Sequence, residues 1–252
     1  MTELTNQHLN DLNQVPFSRP DFSRQNRKGV PEVILTSNKS VSQSLNITAS
    51  FLEKAGRAIL SRVSTELHSA LIETYGPESL EWYEASRMAI VRRNGNRTPP
   101  TGGRVGILTA GTSDQPIAEE AAVLCQEMGC SVYTVYDVGV AGIHRLFGPL
   151  QELLESADVD VIIVAAGMDG ALPSVVSGLV NVPVIGLPTS VGYGMGGQGQ
   201  GALMAMLQTC SPGLTVVNID NGIGAGAMAG LIANRVAAAR AASSQGSQHD
   251  NG

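Results

Sequence analysis

The sequence predicts an α/β protein. Its C-terminal part reads as a parallel sheet flanked by helices, of Rossmann/flavodoxin type, and a small α/β unit precedes it. Three observations carry this. Residues 104–240 alternate short Val- and Ile-rich runs with helical patterns, and near-continuous apolar runs are how strands buried on both faces of a parallel sheet read. The 29 glycines are unevenly placed, four in residues 1–100 and twenty-three in residues 101–230. Residues 92–103 pass from charge to Pro-Pro to Gly-Gly, a linker signal.

The elements follow in order. Residues 1–30 are polar without apolar period and read as an arm lying on another surface. Residues 31–95 form the small unit: a strand over 32–36, a helix over 41–55, an extended segment over 58–63, a helix from 64 to 75, and strands over 80–83 and 88–91. Residues 96–103 are the linker. In the larger unit the apolar runs are 105–110, 132–136, 161–166, 182–187 and 214–219. The first helix between them places Ile117, Ala121, Leu124, Cys125 and Met128 on one face. Asp114 or Ser113 is its expected cap, Pro116 sits in its first turn, and Glu119 and Glu120 complement its dipole. A last helix carries Gly224, Gly226, Ala227, Ala229 and Gly230, small residues that suit a subunit interface or a tight core. Residues 241–252 are expected to be a disordered tail.

Composition excludes several classes. With 43% apolar residues the chain is not a disordered Gly-rich polymer. It lacks the glycine period of collagen, and no run reaches the roughly 18 apolar residues of a membrane span. A net charge of −6 and a pI near 5.2 argue against a nucleic-acid footprint. Three cysteines without a CxxC pair give neither a zinc signature nor a disulfide framework. The expected location is the cytoplasm.

In doubly wound sheets ligands bind beyond the carboxyl ends of the strands, so those ends hold the candidates. Gly111, Thr112, Ser113 and Asp114 follow the first strand and suit either a helix cap or a phosphate site. Asp137, His144 and Arg145 follow the second. Gly167, Met168 and Asp169 follow the third, where Asp169 is a proton acceptor, a substrate-orienting group or a simple N-cap. Thr189, Ser190 and Tyr193 open a loop with six glycines in residues 192–201, which is either flexible or wrapped on a ligand. Cys210 ends a helical run at a Ser-Pro-Gly turn and is expected to be exposed, whereas Cys125 and Cys130 read as buried apolar residues. The strand-end glycines are expected to form a rim around Cys210.

These motifs resemble the AIR carboxylase (PurE) superfamily over residues 104–235. Gly111-Thr112-Ser113-Asp114 is similar to its opening Gly-Ser-x-Ser-Asp loop, Ile143-His144-Arg145 to its Ala-His-Arg segment, Leu172-Pro173 to its Leu-Pro pair, and residues 183–186 to its Pro-Val-Ile-Gly strand. The histidine that precedes Leu-Pro in carboxylases of purine synthesis is here Ala171. A closer resemblance, over residues 20–240, is to the LarB family of nickel-pincer cofactor biosynthesis. It rests on residues 27–33, 109–120, 136–146, 170–173, 184–194 and 216–226. Asp169 stands where LarB proteins usually have glutamate, and Thr36-Ser37-Asn38-Lys39 replaces their Gly-x-Gly-Lys turn.

The LarB resemblance implies carboxylation of the pyridinium ring of nicotinic acid adenine dinucleotide by CO2 or bicarbonate. It further implies hydrolysis of the phosphoanhydride to AMP and pyridinium-3,5-biscarboxylic acid mononucleotide. Cys210 is then the nucleophile, with Asp169 and His144 in proton transfer. Mg2+ assists hydrolysis, with Asp114 and Asp137 as candidate contributors. Lys39 meets a phosphate, and the chain forms a homo-oligomer, tetramer or octamer. The alternatives are an AIR carboxylase or N5-carboxyaminoimidazole ribonucleotide mutase, and a non-catalytic nucleotide-binding protein.

Overall fold

A computed structural model of the chain describes residues 18–249. Residues 1–17 of the expected arm and 250–252 of the expected tail lie outside them.

The first unit contains α1 (Arg24–Lys28), β1 (Val33–Leu35), α2 (Val41–Ala55), β2 (Arg57–Ser61), α3 (Thr65–Tyr75), β3 (Leu80–Tyr83) and β4 (Met88–Arg92). Its sheet has the order β1-β2-β4-β3. The crossover through α2 makes β1 and β2 parallel, and the remaining pairs are antiparallel. The start of α2 is a capping box: the Ser40 hydroxyl accepts from the Gln43 amide at 3.1 Å, and the Gln43 side chain accepts from the Ser40 amide at 3.0 Å. The helix stops at Gly56, which adopts the left-handed conformation at φ 71°.

Ile47 and Phe51 of α2, with Leu67 and Leu71 of α3, cover Leu60, Ala89 and Val91 on one face of this sheet. The other face, Ile59, Met88 and Ile90, packs on Val123 of the second unit. Every residue of β2 and β4 is therefore buried, and the two units share a core.

The second unit contains β5 (Arg104–Thr109), α4 (Gln115–Glu127), β6 (Ser131–Val135), α5 (His144–Gln151), β7 (Val161–Ala166), α6 (Ala171–Ser177), β8 (Val184–Pro188), α7 (Gln200–Leu207), β9 (Leu214–Val216) and α8 (Gly222–His249). All five strands are parallel, in the order β6-β5-β7-β8-β9. That is the 2-1-3-4-5 order of flavodoxin-like sheets, whose switch point lies between the first and third strands, here β5 and β7.

Three expectations change. The last helix continues to His249, so the stretch from 241 to 249 expected as a disordered tail is helical. Its small residues serve a core within the chain: Ala225, Ala229 and Ala233 are fully buried, and a Cβ on Gly226 would meet the Ala121 carbonyl oxygen at 2.7 Å. Helix α8 is also long and apolar enough to cross a membrane by length and composition, but that face is taken by α4 and the sheet. Finally, Glu119 and Glu120 do more than complement a helix dipole. Because α4 is clamped between two sheets, Glu119 accepts from the Ser86 amide at 2.8 Å and Glu120 from the Ser61 hydroxyl at 3.0 Å.

The seam between the units also holds a buried charge cluster. Glu127 at the end of α4 accepts from Arg57 of β2 at 2.7 Å and pairs with Arg92 of β4. Glu81 of β3 completes it through Arg92 at 3.2 Å. Desolvation lowers the Arg57 pKa from its ordinary value, against the pull of Glu127.

Candidate active site

A cavity of about 360 Å³ opens at the switch point, beyond the carboxyl ends of β5, β6 and β7. Gly111, Ser113 and Asp114 line it after β5, Asp137, Gly139 to Ala141 and Arg145 after β6, Gly167 to Asp169, Ala171 and Leu172 after β7, and Val191 after β8. Its volume falls in the range of small-molecule sites, roughly 300–1,000 Å³.

Local backbone needs explain the glycines. A Cβ on Gly167 would stand 2.1 Å from the Val191 carbonyl oxygen, and one on Gly139 would stand 2.6 Å from that of Ala110. The loops after β7 and β8 are zipped by the Met168 amide donating to Val191 O at 2.8 Å. Met168 and Asp137 both take left-handed backbone at φ 52° and 61°, a conformation that costs a side-chain-bearing residue energy and clusters at functional sites.

The polar groups divide into two kinds. Asp137 and Arg145 pair at 2.5 Å on the cavity wall and remain partly open to solvent. Asp169 is exposed at the rim, with one long contact from the Ala171 amide at 3.4 Å. Both can meet a ligand. Asp114 also lines the cavity, but its carboxylate is engaged inside the protein. It is 3% exposed, takes the Thr189 hydroxyl at 2.6 Å on one oxygen and the Gly111 amide at 2.8 Å on the other. Burial raises its pKa, and the bonds from Thr189 and the backbone amides oppose that rise. Asp114 and Thr189 therefore tie the loops after β5 and β8 together.

Other expected site residues lie elsewhere. His144 is exposed at the start of α5 and does not line the cavity, whereas its neighbour Arg145 does. Tyr193 is 82% exposed, outside the cavity wall. Ser190 donates its amide to Asp220 at 2.8 Å. Lys39 in the first unit caps the Leu35 carbonyl at 2.5 Å. Thr112 is exposed beside the opening turn.

Cys210 is exposed, as expected, but it is not part of this cavity. It lies four residues before β9, whose first residue pairs with Val184 at the start of β8. It therefore sits at the amino ends of the strands and the cavity at the carboxyl ends. Five-residue β8 spans about 13 Å at roughly 3.3 Å per residue, so the strand-end glycines do not ring Cys210 within one chain. Cys125 and Cys130 are buried, and burial pushes the Cys130 thiol up to about 11.

Among the described residues no three His, Cys, Asp or Glu side chains come together as a metal-ligating group. The expected magnesium contributors Asp114 and Asp137 both line the cavity, where Asp114 bonds Thr189 and Gly111 and Asp137 pairs with Arg145.

Sequence reasoning missed the apolar wall of Val140, Ala141, Leu172 and Val191. Leu172 stands in the Leu-Pro pair and the others follow strand ends, but no residue type among them marks a cavity wall.

A family profile described as AIR carboxylase matches residues 104–249. The chain belongs to the AIR carboxylase family. A second profile, described as LarB/PurE-like N-terminal domain, matches residues 11–93. An uncharacterized protein of Methanocaldococcus jannaschii is 45% identical over 221 residues, 84% of this chain and 82% of that protein. An N5-carboxyaminoimidazole ribonucleotide mutase of the same organism is 34% identical over 125 residues, 49% of this chain and 74% of the relative. A solved structure of a Treponema denticola PurE2 variant aligns with 61% of this chain and 97% of that chain, at 22% identity and a TM-score of 0.43.

Proposed function

We propose that this AIR carboxylase family member is a LarB-type enzyme. It carboxylates the pyridinium ring of nicotinic acid adenine dinucleotide and hydrolyses the phosphoanhydride, releasing AMP. One observation carries the reading: a LarB/PurE-like N-terminal domain over 11–93 and an AIR carboxylase domain over 104–249 stand in one chain.

The pyridinium ring is too electron-poor to attack CO2. Addition of the Cys210 thiolate forms a C–S bond and leaves a neutral enamine. Its carbon 5 attacks CO2, forming the new C–C bond and returning positive charge to the ring nitrogen. Loss of the carbon 5 proton to a base, then of the thiolate, restores the aromatic cation. Asp169, open at the rim, is that base. Arg145 receives a carboxylate or phosphate, and the start of α4 beyond Gly111 offers amides to a phosphate.

Cys210 and the cavity occupy opposite edges of one sheet. The reaction therefore uses the partner subunit's Cys210, which makes a homo-oligomer part of the mechanism. Exposed Leu179, Met204 and Leu207 near the Cys210 edge offer copies a shared apolar surface.

Cys210→Ala and Asp169→Ala are each expected to lose carboxylation while retaining the dinucleotide. Mixed oligomers of the two variants are expected to recover part of it. Full activity of Cys210→Ala, or no recovery in demonstrably mixed oligomers, would overturn this reading. A second reading, N5-carboxyaminoimidazole ribonucleotide mutase, is favoured by the relative of that name at 34% identity. Turnover of that ribonucleotide by this protein distinguishes it.

A further inference from the structure

A contact from the first unit reaches the segment after β9, which anchors the root of the Gly-rich loop, and it runs through Arg62. This residue follows β2 and has left-handed backbone, at φ 58°. Its carbonyl accepts from the Thr36 hydroxyl at 2.7 Å, which fixes the turn. Its guanidinium crosses the seam. Nη2 donates to the Asp220 carbonyl oxygen at 3.2 Å, and Nε lies 3.9 Å from the buried Glu120 carboxylate.

Asp220 is itself left-handed, at φ 53°. Its amide donates to the Pro188 carbonyl at 2.9 Å, and its carboxylate accepts from the Ser190 amide at 2.8 Å. Pro188 ends β8 and Ser190 opens the loop that supplies Val191 to the cavity wall. Beyond these anchors the loop turns outward, with Tyr193 82% exposed.

Charge explains why the bridging group is a cation. The Arg62 guanidinium reaches both the buried Glu120 carboxylate and the Asp220 carbonyl oxygen, and Asp220 adds to the burial that raises the Glu120 pKa. Without Arg62 the buried Glu120 carboxylate loses a cationic neighbour, and the strained Asp220 backbone loses a tether.

We infer that Arg62 is a positioning residue by which the N-terminal unit holds the Gly-rich loop against the cavity, acting through Asp220 and Ser190. For its catalytic consequence this rests on the proposed function. The loop consequence stands without it.

The test is hydrogen exchange followed by mass spectrometry on the full chain, comparing wild type, Arg62→Ala, Arg62→Lys and Asp220→Asn. Arg62→Ala is expected to speed exchange of peptides covering 189–199 severalfold while β5 and β7 stay protected. Arg62→Lys keeps a donor and is expected to restore much of the protection. Asp220→Asn, which keeps an acceptor for Ser190, is expected to change exchange less than Arg62→Ala. Unchanged exchange over 189–199 in Arg62→Ala overturns the inference. So does equal acceleration in β5 and β7, which would mark a general structural role. If wild type carboxylates the dinucleotide, Arg62→Ala is expected to raise KM severalfold with kcat moved less. If wild type does not, the proposed function fails and the exchange result still decides this inference.

Discussion

Among the described residues, Glu127 is the one carboxylate that pairs with both Arg57 and Arg92, and Glu127→Ala removes it. These guanidiniums are 8% and 7% exposed, so water cannot replace the lost charge. Arg57 keeps the Glu127 carbonyl and Gln25 as neutral acceptors, at 3.0 and 2.8 Å. Arg92 keeps Glu81. Breaking a buried ion pair from one side costs about 3–5 kcal/mol. At roughly 2–4 °C per kcal/mol for a chain of this size, Tm falls by about 6–20 °C. Glu127→Gln keeps an acceptor and is expected to cost less. Glu81→Ala, at a partly exposed site, is expected to cost about 1 kcal/mol.

Urea unfolding followed by two probes makes this measurable. Trp82 is the only tryptophan and lies on β3, so its fluorescence reports the first unit, and far-UV circular dichroism reports both. The Glu127→Ala midpoints are expected to drop by both probes and to separate, with Trp82 leading, because the seam is what the variant weakens. A loss under about 1 kcal/mol with coincident midpoints would refute the reasoning from burial.

Other outcomes follow from the same structure. Gly167→Ala places a Cβ 2.1 Å from the Val191 oxygen and is expected to abolish dinucleotide binding in calorimetry. Gly148→Ala, in α5 with open space around it, should leave binding intact and add about 0.5–1 kcal/mol of stability. Burial raises the Glu120 pKa above 4.5. The folded state then holds a proton that the unfolded state has lost, so wild type loses stability as pH rises from 4.5 through the raised value. Glu120→Gln lacks that loss, and its stability relative to wild type should climb across the same window in urea titrations at stepped pH. A flat difference would refute it.

Much of the fold was legible because backbone burial leaves a local trace. The runs at 105–110 and 161–166 became β5 and β7 almost to the residue, since strands buried on both faces tolerate little but Val, Ile, Leu and Ala. The helical pattern over 41–55 and the helix start at Ser64 marked α2 and α3 for a similarly local reason. The tie from Asp114 to Thr189 was not legible because the two are 75 positions apart, and no local pattern separates a loop tie from a ligand contact. Glu120 and Glu127 carried no sign that a second sheet would bury them.

Cys210 is different. A helix before it and a strand after it already placed it at the amino ends of the sheet, opposite the ligand side. Its assignment as nucleophile rests on the family resemblance, and the strand register sets it apart from the cavity of the same chain. Arg145 rather than His144 lines the cavity because α5 begins at this pair and directs adjacent side chains differently.

The most direct measurement is mass spectrometry of the purified protein incubated with nicotinic acid adenine dinucleotide and bicarbonate. LarB-type chemistry predicts AMP, a mononucleotide product heavier by one carboxyl group, and a substrate adduct on the peptide containing Cys210. Unchanged dinucleotide, with turnover of N5-carboxyaminoimidazole ribonucleotide under the same conditions, would contradict it.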